Sequence, residues 1–196
     1  MLVTLEGPDG GGKSTQLALL ARRLGDRQPL LVREPGSTPL GESLRELLLD
    51  RRRDMGAEAE MHLFMAARSE LLRLQIRPAL AAGRLVICDR YHDSTMVYQR
   101  LRGAPVYWPA TFPIPDLTVL LQVTPDVARV RRARAGAEPD RLEAQAPEFH
   151  QAVADAYRAL ADADPARWLV IEDGRGAPEI AETVAARIES RPVVAR

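Results

Sequence analysis

The sequence has no asparagine, one cysteine, three histidines and, among its 27 basic residues, a single lysine. Each shortage removes a class of reading. A lone cysteine, Cys88, cannot close an internal disulfide, and His62, His92 and His150 show no metal-ligand spacing. With no asparagine and one lysine, the Asn-Lys-x-Asp motif by which GTPase switches read guanine cannot be assembled. The formal net charge is zero, which argues against a nucleic-acid polymer held by bulk electrostatics. The longest apolar stretches, such as Leu117 to Val123, fall far short of the roughly 18 residues a membrane span needs. The expectation is a soluble cytoplasmic protein with no membrane partner. Its 196 residues, 46% of them hydrophobic, suffice for one domain with a sizeable core over 1–196.

Against that background the one lysine stands out. Lys13 lies in Gly7-Pro8-Asp9-Gly10-Gly11-Gly12-Lys13-Ser14, which fits G-x-x-x-x-G-K-[ST]. In that loop, backbone N–H groups and the lysine cradle a polyphosphate, and the Ser/Thr hydroxyl reaches Mg²⁺. An ammonium is a compact point charge on a flexible stem and a guanidinium a planar fork, so a tight phosphate cradle does not exchange them freely. The flanks agree with the motif. Leu2 to Glu6 reads as a buried strand, and from Ser14 the residues Leu17, Leu20 and Leu24 recur with helical spacing. A helix starting there would add its unpaired N–H groups to the anion site.

Four further apolar runs, Pro29 to Val32, Leu85 to Asp89, Leu117 to Val123 and Trp168 to Ile171, can complete a parallel sheet. Helical spacing fills the gaps over Leu40 to Leu49, Ala57 to Ala82, Asp126 to Ala135, Ala146 to Ala161 and Pro178 to Ile188. Alternation of this kind predicts an α/β three-layer fold with right-handed crossovers and ligands beyond the carboxyl ends of the strands. Cys88 sits in an apolar run and reads as core, and Arg51-Arg52-Arg53-Asp54 as a solvated turn at a helix end.

A second group of chemical residues ends the run Leu85 to Asp89. A strand-terminal acid in a phosphate-loop protein commonly serves Mg²⁺, and the adjacent Arg90 can bridge phosphate oxygens. Taken alone, the pair could also be a structural salt bridge with its neighbours, a reading that loses weight beside a phosphate loop. Farther on, Arg129, Arg131, Arg132, Arg134 and Arg141 crowd a segment interrupted by Ala135-Gly136-Ala137-Glu138-Pro139. That suits a short lid closing over a triphosphate at about 129–143, or an ordinary solvated helix face.

Several stretches make a family resemblance specific. In order they are Glu6-Gly7-Pro8-Asp9-Gly10 with Gly12-Lys13-Ser14, Arg33-Glu34-Pro35-Gly36-Ser37-Thr38, Phe64-Met65-Ala66-Ala67-Arg68, Asp89-Arg90-Tyr91, Ser94 to Gln99, and Asp140-Arg141-Leu142-Glu143. Together they resemble the bacterial thymidylate kinases, nearly from end to end. The resemblance implies a P-loop kinase fold with a five-stranded parallel sheet and a short arginine-rich lid, transfer of the γ-phosphoryl group of ATP to dTMP with Mg²⁺, and a homodimer.

It also implies residue roles. Gly7 to Ser14 and Thr15 would hold the donor phosphates, Ser14 and Asp89 the metal. Phe64 would stack on thymine, Arg68 and Gln99 would hydrogen-bond its edge, and Thr95 would sit close by. Tyr98 would lie against the deoxyribose, Asp9 would touch its 3′-hydroxyl, and Arg45 and Arg90 would hold the acceptor phosphate. Glu34-Pro35 would be a cis bond at the site. Gly10 marks the subtype whose catalytic arginines come from the lid, here Arg132, Arg134 and Arg141, alongside Lys13, Asp89 and Arg90. A kinase for another nucleoside monophosphate or a deoxynucleoside is the alternative. Two features depart from the family pattern. Arg100 to Ile114 is short and rich in proline and aromatics where a longer helical segment is usual, and Gln122 replaces a frequent Asp and is given no metal role.

Overall fold

In a computed structural model, residues 1–136 and 139–191 are described. Five parallel strands, β1 (Leu2–Glu6), β2 (Leu30–Arg33), β3 (Val86–Asp89), β4 (Leu117–Leu121) and β5 (Trp168–Ile171), form one sheet in the order β2-β3-β1-β4-β5. Helices α1 (Lys13–Arg23), α2 (Pro39–Leu49), α3 (Ala57–Leu71), α4 (Arg77–Ala81), α5 (His92–Leu101), α6 (Pro125–Ala135), α7 (Pro147–Ala163) and α8 (Ala177–Glu189) flank it. No helix among the described residues is long and apolar enough to cross a membrane.

Side chains alternate across the strands, so the sheet feeds an apolar layer on each face. Val3, Leu5, Ile87, Val119 and Leu121 meet Leu20 of α1 and Val184 and Ile188 of α8. On the other face, Leu2, Val86 and Cys88 meet Leu71, Leu72 and Ile76, while Leu120 and Trp168 meet Val97, Val153 and Tyr157. Cys88 is a fully buried core residue, and Arg51 to Arg53 form an exposed turn after α2.

Two helical expectations changed. The stretch Ala57 to Ala82 is interrupted by a π-helical turn at Leu72–Ile76, followed by α4. Pro78, in the first turn of α4, has no N–H to offer the preceding turn and its ring would crowd the carbonyl there, so the hydrogen-bond register shifts ahead of it. Conversely, α5 escaped the apolar periodicity because most of what it buries is polar, namely His92, Asp93, Thr95 and Gln99. After α5, residues 104–116 contain no helix. Trp108 and Phe112 instead pack edge-on against His92, with Trp108 also against Tyr91, and the indole N–H donates to the Phe112 carbonyl at 3.1 Å.

The order of the strands positions the site. β1 lies between β3 and β4, so the loop after β1, Asp89 at the end of β3 and the exit of β4 share one edge of the sheet. That is the topological switch at which open α/β sheets bind ligands.

Candidate active site

Leaving β1, the chain turns through two glycines that no other residue could replace. Gly7 has φ +130° and Gly10 φ +83°, and a β-carbon would come within 2.5 Å of the Leu121 carbonyl oxygen or 2.4 Å of that of Ala128. The loop is thereby pressed onto the end of β4 and onto α6, and it delivers Lys13 to the first position of α1. The Lys13 ammonium folds back under the loop, donating to the carbonyls of Gly7 at 3.1 Å and Pro8 at 2.9 Å, with Asp9 Oδ1 3.9 Å away. Burial, reinforced by the nearby Arg90 charge, pulls its pKa down to about 8. Ser14 Oγ donates to Asp89 Oδ2 at 3.1 Å, so the two residues expected at a metal are neighbours.

Arg90 follows β3 with a left-handed backbone, φ +69°, a conformation costly for a residue with a β-carbon. Its guanidinium is gripped from both sides. Nη2 donates to Asp9 Oδ1 at 2.6 Å, and Nη1 donates to Ser94 Oγ at 3.1 Å and to the Tyr157 hydroxyl at 3.2 Å. Both hydroxyls in turn donate to Glu6 Oε2, at 2.6 and 3.0 Å, while Glu6 Oε1 accepts the Tyr91 N–H at 2.8 Å. Burial, aided by the Asp93 charge, raises the Glu6 carboxyl to about 7. For Asp9, burial pushes the pKa upward, but Arg90 and Lys13 outweigh it and hold the carboxyl well below its usual range.

Two clefts meet at Asp9, Glu34, Arg45 and Arg90, which line both. The larger, with about 1200 Å³ of empty space partly open to solvent, is floored by Gly10, Gly12, Lys13, Ser14 and Thr15 and faced by Asp89, Arg132 and Glu143. The smaller holds about 540 Å³ of empty space, also partly open to solvent. Pro35, Phe64, Arg68, Thr95, Tyr98 and Gln99 line it with the four shared residues, so every residue expected at the acceptor borders one space. Phe64 is half-buried on α3, one helical turn before Arg68.

Arg68 is wholly enclosed. Its Nε donates to Glu34 Oε2 at 2.6 Å, Nη1 contacts His92 Nδ1 and donates to Thr95 Oγ1 at 3.1 Å, and Nη2 donates to the Tyr91 carbonyl at 3.1 Å. Burial, opposed by Arg68, lifts Glu34 to about 7. Burial and the Arg68 charge pull His92 down to about 3, so the ring is neutral, accepts from Arg68 and donates through Nε2 to the Tyr107 carbonyl at 2.7 Å. The Glu34-Pro35 bond is cis, and Arg45 Nη1 donates to the Pro35 carbonyl at 3.0 Å.

The lid arginines separate. Arg132 faces the phosphate cleft, whereas Arg134 is exposed and borders neither cleft. Arg141 is buried, donates to the Leu48 carbonyl at 3.0 Å and pairs with Glu60. Ala137 and Glu138, at the centre of the expected lid, lie outside the described residues.

Sequence reasoning assigned no role to Tyr157 or Glu60. Tyr157 has Val153 and Ala161 four residues to either side, the spacing of an ordinary core stripe, and Glu60 precedes α3's apolar residues as a surface acid would. Only Glu6, a charge closing a buried strand beside the loop, carried a signal.

The geometry has counterparts. A family model described as thymidylate kinase matches residues 5–184. The thymidylate kinase of Leifsonia xyli subsp. xyli is 43% identical over 201 aligned positions, covering 97% of this chain and 95% of that one. That of Thermomicrobium roseum is 46% identical, covering 87% and 85%, and that of Deinococcus radiodurans 40% identical, covering 97% of each. Among solved structures, the thymidylate kinase of Ehrlichia chaffeensis superposes with a TM-score of 0.71 at 29% identity, covering 97% of this chain and 98% of that one.

Proposed function

The chain belongs to the thymidylate kinase family and is an ATP-dependent nucleoside monophosphate kinase, and we propose that the two clefts divide its work between ATP and dTMP. An oxygen of the dTMP phosphate attacks the γ-phosphorus of ATP, the bond from that phosphorus to the β,γ-bridging oxygen breaks, and dTDP and ADP result. The observation that carries this reading is the junction at Asp9 and Arg90, where a cleft floored by the phosphate loop opens into a cavity lined by an aromatic ring, an amide and hydroxyls.

Phosphoryl transfer asks little covalent chemistry of the protein, so the residues position groups and neutralise charge. The loop amides from Gly7 to Thr15 and Lys13 hold the donor phosphates. Arg90 and Arg45, on both clefts, hold the acceptor phosphate beside the γ-phosphate, and Arg90 meets charge as it spreads over the transferring group. Asp9 takes the sugar 3′-hydroxyl and Tyr98 packs on the deoxyribose. Phe64 stacks on the base, with Thr95, Arg68 and Gln99 along its edge. The enclosed Arg68 must share an N–H between its present partners and the base. Glu34 and Pro35 border the same cavity and brace Arg68 and Arg45.

Ser14 Oγ and Asp89 Oδ2 fit Mg²⁺, being hard oxygen donors in contact at the phosphate cleft. Among the described residues no group of three His, Cys, Asp or Glu side chains could hold a metal alone, which suits an ion that draws its other ligands from phosphate and water. Bound there, Mg²⁺ would neutralise phosphate charge. Of the lid arginines, Arg132 lines the phosphate cleft and would reach the donor phosphates, Arg134 would have to turn in from solvent, and Arg141, held by Glu60 and the Leu48 carbonyl, would stay outside the phosphate contacts. The homodimer rests on the resemblance, and sedimentation equilibrium tests it.

A coupled kinase assay over dTMP, dUMP, dCMP, dAMP, CMP and AMP tests the acceptor. We expect dTMP to be best and dUMP reduced without vanishing, since one methyl group is worth about 1–3 kcal/mol. Equal or better turnover of CMP or AMP would overturn the assignment.

A further inference from the structure

Beneath the base cavity lies a carboxylate outside the roles above. Glu60, in the first turn of α3, is completely buried, and three side chains, Gln99, Arg102 and Arg141, converge on it. Its Oε1 accepts from Gln99 Nε2 at 2.8 Å and lies 3.4 Å from Arg102 Nε, and its Oε2 pairs with Arg141. Arg102 donates onward to the Met55 carbonyl at 3.0 Å and Arg141 to that of Leu48 at 3.0 Å, so both guanidinium groups are fixed by backbone. Glu60 is therefore held by two cations and directs its remaining accepting capacity at one atom, the Gln99 amide nitrogen.

We propose that Glu60 is a positioning residue which fixes the polarity of the Gln99 amide and so makes the base cavity select a pyrimidine carrying an N3–H over one carrying a bare N3. The inference rests on the reading that Gln99 faces the edge of the base. A primary amide is nearly symmetric in shape, so nothing steric stops Gln99 from presenting either end. A carboxylate beside it breaks the symmetry, because it accepts hydrogen bonds and repels an amide oxygen. With Nε2 drawn to Glu60, Oε1 is directed away from it, on the side of the cavity that Gln99 lines. An amide oxygen attracts the N3–H of thymine or uracil and opposes the N3 lone pair of cytosine. Both are buried at the contact, so a mismatch leaves two acceptors unpaired, which costs far more than a missing methyl group. The carboxylate thus acts on specificity without touching the nucleotide.

Glu60→Gln tests this. Arg141 faces one Glu60 oxygen alone, whereas the other is shared between Gln99 and an Arg102 nitrogen 3.4 Å away, so the new amide should keep its oxygen toward Arg141 and turn its NH₂ toward Gln99. Gln99 then flips, offering Nε2 to the cavity. We expect the ratio of kcat/KM for dTMP over dCMP to fall by roughly tenfold or more, through KM, with kcat for dTMP largely kept. Loss of activity toward both substrates in equal measure, at unchanged ratio, would overturn the proposal and leave Glu60 a structural residue.

Should Glu60→Gln fail to fold, nuclear magnetic resonance on the unsubstituted protein decides. The Gln99 side-chain amide protons, assigned by their loss in Gln99→Leu, should exchange slowly with solvent if Nε2 is bound to Glu60. Exchange at the rate of a free amide would overturn the orientation. Gln99→Leu also separates the two readings. If it leaves the KM for dTMP unchanged, Gln99 does not meet the base, and the assignment of the cavity edge fails along with the inference. If it raises that KM while Glu60→Gln leaves the substrate ratio intact, the cavity assignment stands and only the role of Glu60 falls.

Discussion

The hydroxyl of Tyr157, midway along α7, accepts from Arg90 Nη1 at 3.2 Å and donates to Glu6 Oε2 at 3.0 Å. A residue 67 positions away in sequence thus helps aim the guanidinium placed between the two clefts. Ser94 repeats the same bridge, and Asp9 holds the opposite nitrogen. One face of Arg90 is tied to a buried carboxylate through two hydroxyls, and the other to the phosphate loop.

Tyr157→Phe removes one of those bridges, together with the 2.8 Å contact between the Tyr157 and Ser94 hydroxyls. Arg90 should lose alignment in the transition state more than in the ground state, so we expect kcat to fall roughly three- to thirtyfold with KM for dTMP and ATP changed by less than about twofold. Steady-state kinetics decides. Unchanged kcat in a merely less stable protein would reduce the hydroxyl to a packing contact.

Phe64→Ala should raise the KM for dTMP by about 10–100-fold while sparing that for ATP, since base stacking is worth about 1–3 kcal/mol per base. The ring is only half-buried and borders the acceptor cavity, so little stability should be lost. A loss of several kcal/mol in denaturant unfolding, with both KM values moving alike, would make Phe64 a core residue instead.

Lys13→Arg should leave circular dichroism and melting near those of the parent and lower kcat at least about a hundredfold, ~2.7 kcal/mol or more. The ammonium sits within 3.1 Å of two loop carbonyls, a space with no room for a planar fork and a nucleotide together. Near-parental turnover would show the lone lysine to be an accident of composition.

Lys13 also gives a dependence on pH. Free, its pKa lies near 8 because of burial and the Arg90 charge, and a bound triphosphate must raise it. At pH 8 ATP binding should therefore take up about half a proton, and near pH 6 almost none, because the ammonium is already charged there. Calorimetric titration in two buffers of different ionisation enthalpy measures this. Identical enthalpies at pH 8 would place Lys13 at its ordinary value.

What the sequence determined by itself was local. A buried strand, a glycine-rich turn and an apolar helical stripe each need only neighbours in the chain, so the five strands, the phosphate loop and most helices were legible as periodicity and motif. The π turn before Pro78 and the polar helix α5 were not, because one depends on hydrogen-bond register and the other buries groups whose partners lie elsewhere in the chain. Tertiary structure alone decided which charges share a space. It set Glu34 against Arg68, Glu60 against Arg102 and Arg141, and Glu6 behind Ser94 and Tyr157, and it separated Arg132 from Arg134 and Arg141. A buried charge is tolerated only where partners converge from several elements, and that convergence is a property of the packed layers rather than of any window of sequence.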